Sequence, residues 1–135
     1  MNATARTPST RPSILVVEDF ALLRSSVMQW LRFRFPGCLV QGVGSGEDAL
    51  AHARTFRPDV VLMDIDLPGI SGLEATTRMK AESPDTSVVM LTMHDTSNHR
   101  AAAANAGAVA YVAKTELEDQ LGPVVEKLLG AGKPS

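Results

Sequence analysis

Several residue types are scarce in this chain of 135 residues, and each scarcity excludes a class of protein. The only cysteine, Cys38, rules out an internal disulfide or a cysteine-based metal cluster, and we expect it to be a small buried residue at a strand start. No apolar run approaches the ~18 residues of a membrane-spanning helix. A formal net charge of −2 argues against a basic surface for nucleic acid. These absences favour a cytoplasmic protein with no membrane or direct DNA partner.

The length suits one domain with one ordinary apolar core. Residues 1–12 lack the apolar stretch of a secretory signal, and we predict a disordered tail there. The domain is predicted to span residues 13–130. Residues 131–135 are predicted to be a second tail or the start of a linker.

Within the predicted domain, short apolar runs alternate with longer segments of helical spacing. Continuous apolar runs are typical of parallel strands covered on both faces, and the alternation indicates a doubly wound α/β fold. The predicted strands are 14–17, 39–43, 60–63, 88–91 and 109–112.

The helical segments carry their own signals. A repeat of five apolar residues predicts that one stripe of the first helix is buried; its members are Phe20, Leu23, Val27, Trp30 and Leu31. Ser45 and Ser71 are predicted to cap the second and third helices, and Thr115 opens a similar capping pattern. Gly122-Pro123 predicts a kink in the last helix, or a turn followed by a helix that begins near Gly122.

Polar or charged residues follow four of the five predicted strands. Parallel strands share one carboxyl edge, and ligands of open α/β sheets bind outside it. The residues brought to this edge are Glu18 and Asp19, then Asp64, Thr92 and Lys114.

Together, these side chains suit phosphoryl transfer. Crowded carboxylates such as Glu18, Asp19 and Asp64 repel one another unless they share a cation, and Mg²⁺ prefers such oxygen ligands. An aspartate can act as a nucleophile and form an aspartyl-phosphate. Lys114 and Thr92 would neutralise and hydrogen-bond the phosphoryl oxygens.

The order of four motifs resembles the receiver domain of bacterial two-component response regulators. The motifs are VVED at 16–19, LMDIDLPGISGLE at 62–74, VMLT at 89–92 and GAVAYVAK at 107–114. The resemblance implies a flavodoxin-like five-stranded parallel sheet in the order 2-1-3-4-5, with helices on both faces. Thr115 stands where many receivers have proline, which is more similar to receivers of the NarL/FixJ class.

The resemblance also implies roles for the site residues. Asp64 would accept a phosphoryl group from a sensor histidine kinase or a histidine phosphotransfer protein. Mg²⁺ would be held by Glu18, Asp19 and Asp64, together with the backbone carbonyl of Asp66. Such a domain is not an enzyme in the usual sense, because it catalyses only its own phosphorylation and dephosphorylation.

Signal output is implied to involve Thr92 and Tyr111, which move together in the family and reshape the surface of the fourth helix, fifth strand and fifth helix. That surface would control an output partner or domain, through which alone DNA would be contacted, and it could form a homodimer on phosphorylation. His94, two residues past Thr92, and Asp66 are candidates for modulating dephosphorylation.

Two other readings remain open at this stage. Asp64 and Asp66 also resemble the nucleophile and general acid of haloacid-dehalogenase-like phosphatases, although the later acidic motif of that family is missing from the sequence. The glycines of segment 42–46 resemble a dinucleotide-binding loop, but Glu47 stands where its last glycine is needed.

Overall fold

The computed structural model of the protein describes residues 11–93 and 96–131, and it alternates strands with helices along the chain. In chain order the elements are β1 (Ser13–Val17), α1 (Ala21–Arg34), β2 (Leu39–Val43), α2 (Gly46–Phe56), β3 (Val60–Asp64), α3 (Gly72–Glu82), β4 (Ser87–Thr92), α4 (Ser97–Ala106), β5 (Ala110–Ala113), a 3₁₀ turn (Lys114–Glu116) and α5 (Leu117–Ala131).

The strands form one five-stranded parallel sheet in the order β2-β1-β3-β4-β5. The predicted flavodoxin-like topology is therefore confirmed. The order of strands reverses beside β1, so the carboxyl ends of β1 and β3 border the crevice where ligands of such sheets bind.

Alternate strand residues point to opposite faces of the sheet and build two apolar clusters. Val17 and Met63 point into the cluster covered by α2, α3 and α4. Val16 and Leu62 point into the cluster covered by α1 and α5. Burial of both faces explains why β1, β3 and β4 have continuous apolar runs rather than alternating patterns.

The helix starts follow the predicted capping chemistry. The Ser45 hydroxyl accepts a hydrogen bond from the Asp48 N–H, and the Ser71 hydroxyl accepts one from the Glu74 N–H. The prediction that Phe20 belongs to a buried stripe is wrong, since its side chain is 59% exposed. Phe20 precedes α1 as its N-cap residue, so it does not follow the helical periodicity of Val27 and Leu31.

The last helix differs from one of its two predicted forms. It begins at Leu117 and continues through Pro123 to Ala131, so it does not begin near Gly122. Thr115 lies inside the preceding 3₁₀ turn rather than at a helix cap. Burial of Leu121 and Val125 on either side of the proline holds the helix against the sheet.

Two residues of the predicted tail fall within the described part of the chain. Arg11 donates hydrogen bonds to the carbonyl oxygens of Gly37 and Cys38, and the Pro12 carbonyl accepts one from the Leu39 N–H. Cys38 is buried beside the start of β2, as predicted. Within the described residues, no helix combines the length and apolar character needed to cross a bilayer.

Candidate functional site: an acidic pocket at the carboxyl edge of the sheet

Strand register brings the predicted site residues together. Asp64 ends β3 and pairs with Leu91, so Thr92, the last residue of β4, lies one position further along the same edge. Thr92 in turn pairs with Ala113, the residue before Lys114. Glu18 directly follows β1, the neighbour of β3 on its other side.

Three carboxylates converge at this edge. One oxygen from each of Glu18, Asp19 and Asp64 lies within 4.8 Å of the others. Glu18 and Asp64 are each only 2% exposed, whereas Asp19 faces solvent. The pocket is therefore an acidic site with two buried carboxylates at its base and a third at its mouth.

Lys114 supplies a positive charge to the base of the pocket. Its ammonium nitrogen lies 2.7 Å from Oε1 of Glu18 and 3.2 Å from Oδ1 of Asp64. Burial works against the charged amine, but the hydrogen bond to Glu18 and the charges of both carboxylates leave the Lys114 pKa above its ordinary value. Lys114 is therefore a fixed cation between two buried acids.

Burial raises the pKa of Glu18, and the charge of Asp64 raises it further. The hydrogen bonds from Lys114 and from the Phe20 N–H oppose this rise but do not cancel it. One ammonium group also cannot balance three ionised carboxylates. A small divalent cation fits this donor set, because clustered carboxylate oxygens open to water on one side are the ligands that Mg²⁺ prefers.

The loop after β3 is anchored to the same pocket. The Asp66 N–H donates to Oδ1 of Asp64 over 3.1 Å, while the Asp66 side chain is exposed. A Cβ on Gly72 would lie 2.1 Å from the Asp64 carbonyl oxygen, so only glycine fits there. Gly69 has a φ of +73°, and the carboxylate of Glu47 accepts the next N–H, that of Ile70. Glu47 was not predicted to support the site.

The two predicted switch residues differ in their surroundings. Thr92 is fully buried. Tyr111 is half-buried on β5, and the guanidinium carbon of Arg100, on α4, lies 4.8 Å from the centroid of its ring. His94, a predicted modulator, lies outside the described residues.

Comparison with known proteins identifies the family. The sequence model of the response regulator receiver domain matches residues 14–126, which is most of the chain. This chain belongs to that family. The matched segment contains the acidic pocket, Thr92, Tyr111 and Lys114.

Individual relatives agree with this family assignment. The chain is 41% identical over 102 residues to the response regulator GacA of Pseudomonas syringae pv. syringae, covering 75% of this chain and 47% of GacA. A LuxR-family two-component response regulator from Aurantimonas sp. SI85-9A1 is 29% identical, with a TM-score of 0.83 over 90% of this chain and 87% of that one. The BeF₃-activated receiver domain of DrrB, from Thermotoga maritima, is 29% identical, with a TM-score of 0.80 over 90% and 99% of the two chains.

The likeness predicted to NarL/FixJ receivers is confirmed, because GacA is a regulator of that class. The chain spans about half the length of the curated relatives it matches. Neither the family match nor these relatives support a haloacid-dehalogenase-like phosphatase.

Proposed function

We propose that this receiver takes a phosphoryl group onto Asp64 from a phosphohistidine of a sensor histidine kinase or a histidine phosphotransfer protein. One observation carries the proposal. A carboxylate that is 2% exposed lies beside a lysine whose side chain is 10% exposed, and two further carboxylates face it at metal-ligand spacing. A receiver relative activated by BeF₃ is consistent with this assignment.

The chemistry follows from these positions. Lys114 and the Asp66 N–H both contact Oδ1 of Asp64, so Oδ2 is the oxygen that we expect to attack phosphorus. The new O–P bond forms as the P–N bond of phosphohistidine breaks, and the imidazole nitrogen keeps the bonding electron pair. Mg²⁺ held by Glu18, Asp19, Asp64 and the Asp66 carbonyl would neutralise charge on the transferred group.

The remaining site residues hold the product. Lys114 can move from Glu18 to a phosphoryl oxygen, and the Thr92 hydroxyl can donate to another. Both residues adjoin the surface of α4, β5 and α5, which would then control an output partner or domain and favour a homodimer. Asp66, which is exposed and lies two residues after Asp64, would modulate dephosphorylation. We assign this activity to the cytoplasm, where histidine kinases present their phosphohistidine.

Direct phosphorylation tests the proposal. Incubation with acetyl phosphate and Mg²⁺ should add one phosphoryl group to the intact mass, and chelation of Mg²⁺ should abolish the gain. Asp64→Asn removes the nucleophile and should gain nothing. Asp48→Asn, which changes an exposed acid on α2, should match the parent. Phosphate gain by Asp64→Asn equal to that of the parent would overturn the assignment.

A further inference from the structure

The glycines of Gly42-Val43-Gly44 resemble part of a nucleotide-binding loop, but in the structure a side chain occupies the space above them. Arg24 of α1 lies across both glycines. A Cβ on Gly42 would lie 3.2 Å from Cγ and Cδ of Arg24 and 2.5 Å from Sδ of Met28. A Cβ on Gly44 would lie 3.3 Å from Nη1 of Arg24. The two glycines therefore form a channel for the stem and head of this arginine.

The channel leads the guanidinium to the acidic pocket. Nη1 of Arg24 donates a hydrogen bond to the carbonyl oxygen of Glu18 over 2.7 Å. That carbonyl belongs to the peptide bond that joins Glu18 to Asp19. Arg24 thus holds the one peptide unit that connects two of the three pocket carboxylates.

The other hydrogen bonds of Glu18 explain why the contact between Arg24 and its carbonyl oxygen matters. The Glu18 N–H is tied to the Val43 carbonyl, and the Glu18 carboxylate is tied to Lys114 and the Phe20 N–H. Asp19 is exposed, so its orientation depends on the peptide from which it projects. A ligand carboxylate held by its neighbours binds metal more tightly than one that must be ordered on binding.

We infer that Arg24 is a positioning residue for the divalent-cation site, seated by Gly42 and Gly44, and that it sets cation affinity without contacting the cation. The inference rests on the proposed function, because it takes Glu18 and Asp19 to be ligands. It assigns the glycine pair a role that neither nucleotide binding nor a simple turn accounts for.

The first test compares two arginines of the same helix. Arg24→Met keeps an unbranched stem in the channel and removes the hydrogen bond to Glu18. Arg32→Met is the matched control, since Arg32 also lies on α1 and donates to a backbone carbonyl, that of Val40 in β2, away from the pocket. Calorimetry with Mg²⁺ should show roughly tenfold weaker binding for Arg24→Met. Arg32→Met should bind as the parent does, although both variants lose one hydrogen bond of stability.

The second test leaves the arginine in place. Gly44→Ala adds a Cβ whose only neighbour within 4 Å among the described residues, chain neighbours aside, is Nη1 of Arg24, so it should displace the guanidinium by a few tenths of an ångström. We expect weaker Mg²⁺ binding than in the parent. The same change in the Arg24→Met background should cause no further loss, because the group it displaces is gone.

The outcomes separate this inference from the proposed function. If Asp19→Asn and Asp64→Asn lose Mg²⁺ binding while Arg24→Met keeps the parent affinity, the role given to Arg24 is wrong and the proposed function stands. If Asp19→Asn and Asp64→Asn also bind Mg²⁺ like the parent, the proposed cation site itself is wrong. Equal losses of Mg²⁺ affinity in Arg24→Met and Arg32→Met would show that Arg24 has only a general structural role.

Discussion

At the scale of single residues, the buried carboxylate of Glu18 is in an environment that disfavours its ionised form. Burial and the nearby charge of Asp64 raise its pKa above the ordinary 4.5, against the opposing effect of Lys114. The folded chain therefore takes up this proton more readily than the unfolded chain. As pH rises from 4.5 through the raised pKa, the unfolded chain ionises first, so the contribution of this group to folding stability falls.

We expect Mg²⁺ to reverse that loss, because it binds the ionised carboxylate in the folded state only. The increase in Tm caused by Mg²⁺ should be small near pH 4.5 and should grow as pH rises through the Glu18 pKa. Glu18→Gln cannot ionise, so its increase should be smaller and depend less on pH over this window. Thermal unfolding monitored by circular dichroism, with and without Mg²⁺, measures the increase in Tm for the parent and for Glu18→Gln at each pH. Superimposable profiles for the parent and Glu18→Gln would contradict the prediction.

Residues of the site were predictable where they sit at strand ends. Glu18, Asp64 and Lys114 follow apolar runs, and parallel strands must bring such positions to one edge. Arg24 and Glu47 lie on helices, and no local pattern separates them from ordinary surface residues. Their contacts with the pocket depend on how helices pack on the sheet, which a single sequence does not reveal. Gly42 and Gly44 stand out in the sequence, but their role can be interpreted only when the Arg24 side chain is seen to pack against them.

At the scale of elements, all five strands were predicted to within one residue, and the clearest apolar runs are those of β1, β3 and β4, which are buried almost throughout. The predicted start of α5 near Gly122 was wrong because the local rule for proline was given more weight than tertiary packing. Pro123 cannot donate to the Asp119 carbonyl, yet its neighbours Leu121 and Val125 are buried against the sheet and hold the helix together. The proline is therefore tolerated at a cost in stability.

Replacing this proline should recover part of that cost. Pro123→Ala restores the N–H donor to Asp119 in a helix whose residue 123 is exposed, so no packing is lost. We expect the free energy of unfolding to rise by about 1–2 kcal/mol, after allowing for the greater entropy of the unfolded alanine chain. Urea denaturation monitored by circular dichroism measures this free energy of unfolding. Pro84→Ala, in the exposed turn after α3, is the control and should not stabilise; an equal gain there would argue against the helical explanation.

At the scale of the whole molecule, the acidic pocket and the α4–β5 surface are joined by two adjacent strands. Thr92 ends β4 at the pocket, and Tyr111 lies on β5, paired in register with Met90 of β4. The half-buried ring of Tyr111 has its centroid 4.8 Å from the guanidinium carbon of Arg100, a cation–π contact with α4. We therefore predict that a change at Thr92 reaches α4 through the side chain of Tyr111.

We predict that a phosphoryl mimic on Asp64 shifts Tyr111 inward and breaks its contact with Arg100. The Thr92 hydroxyl, drawn toward a phosphoryl oxygen, would vacate space that the ring can fill. The mimic shifts this equilibrium only by its differential affinity for the two states, so the hydroxyl must contribute to that difference.

Thr92→Ala should weaken phosphorylation-dependent dimerisation or partner binding, whereas Thr92→Ser, which keeps the hydroxyl, should retain most of it. Crystal structures of the free and beryllofluoride-bound protein, with sedimentation of each variant, test both parts. A single Tyr111 rotamer in the two structures, together with unchanged association of Thr92→Ala, would show that the signal leaves the pocket by another route.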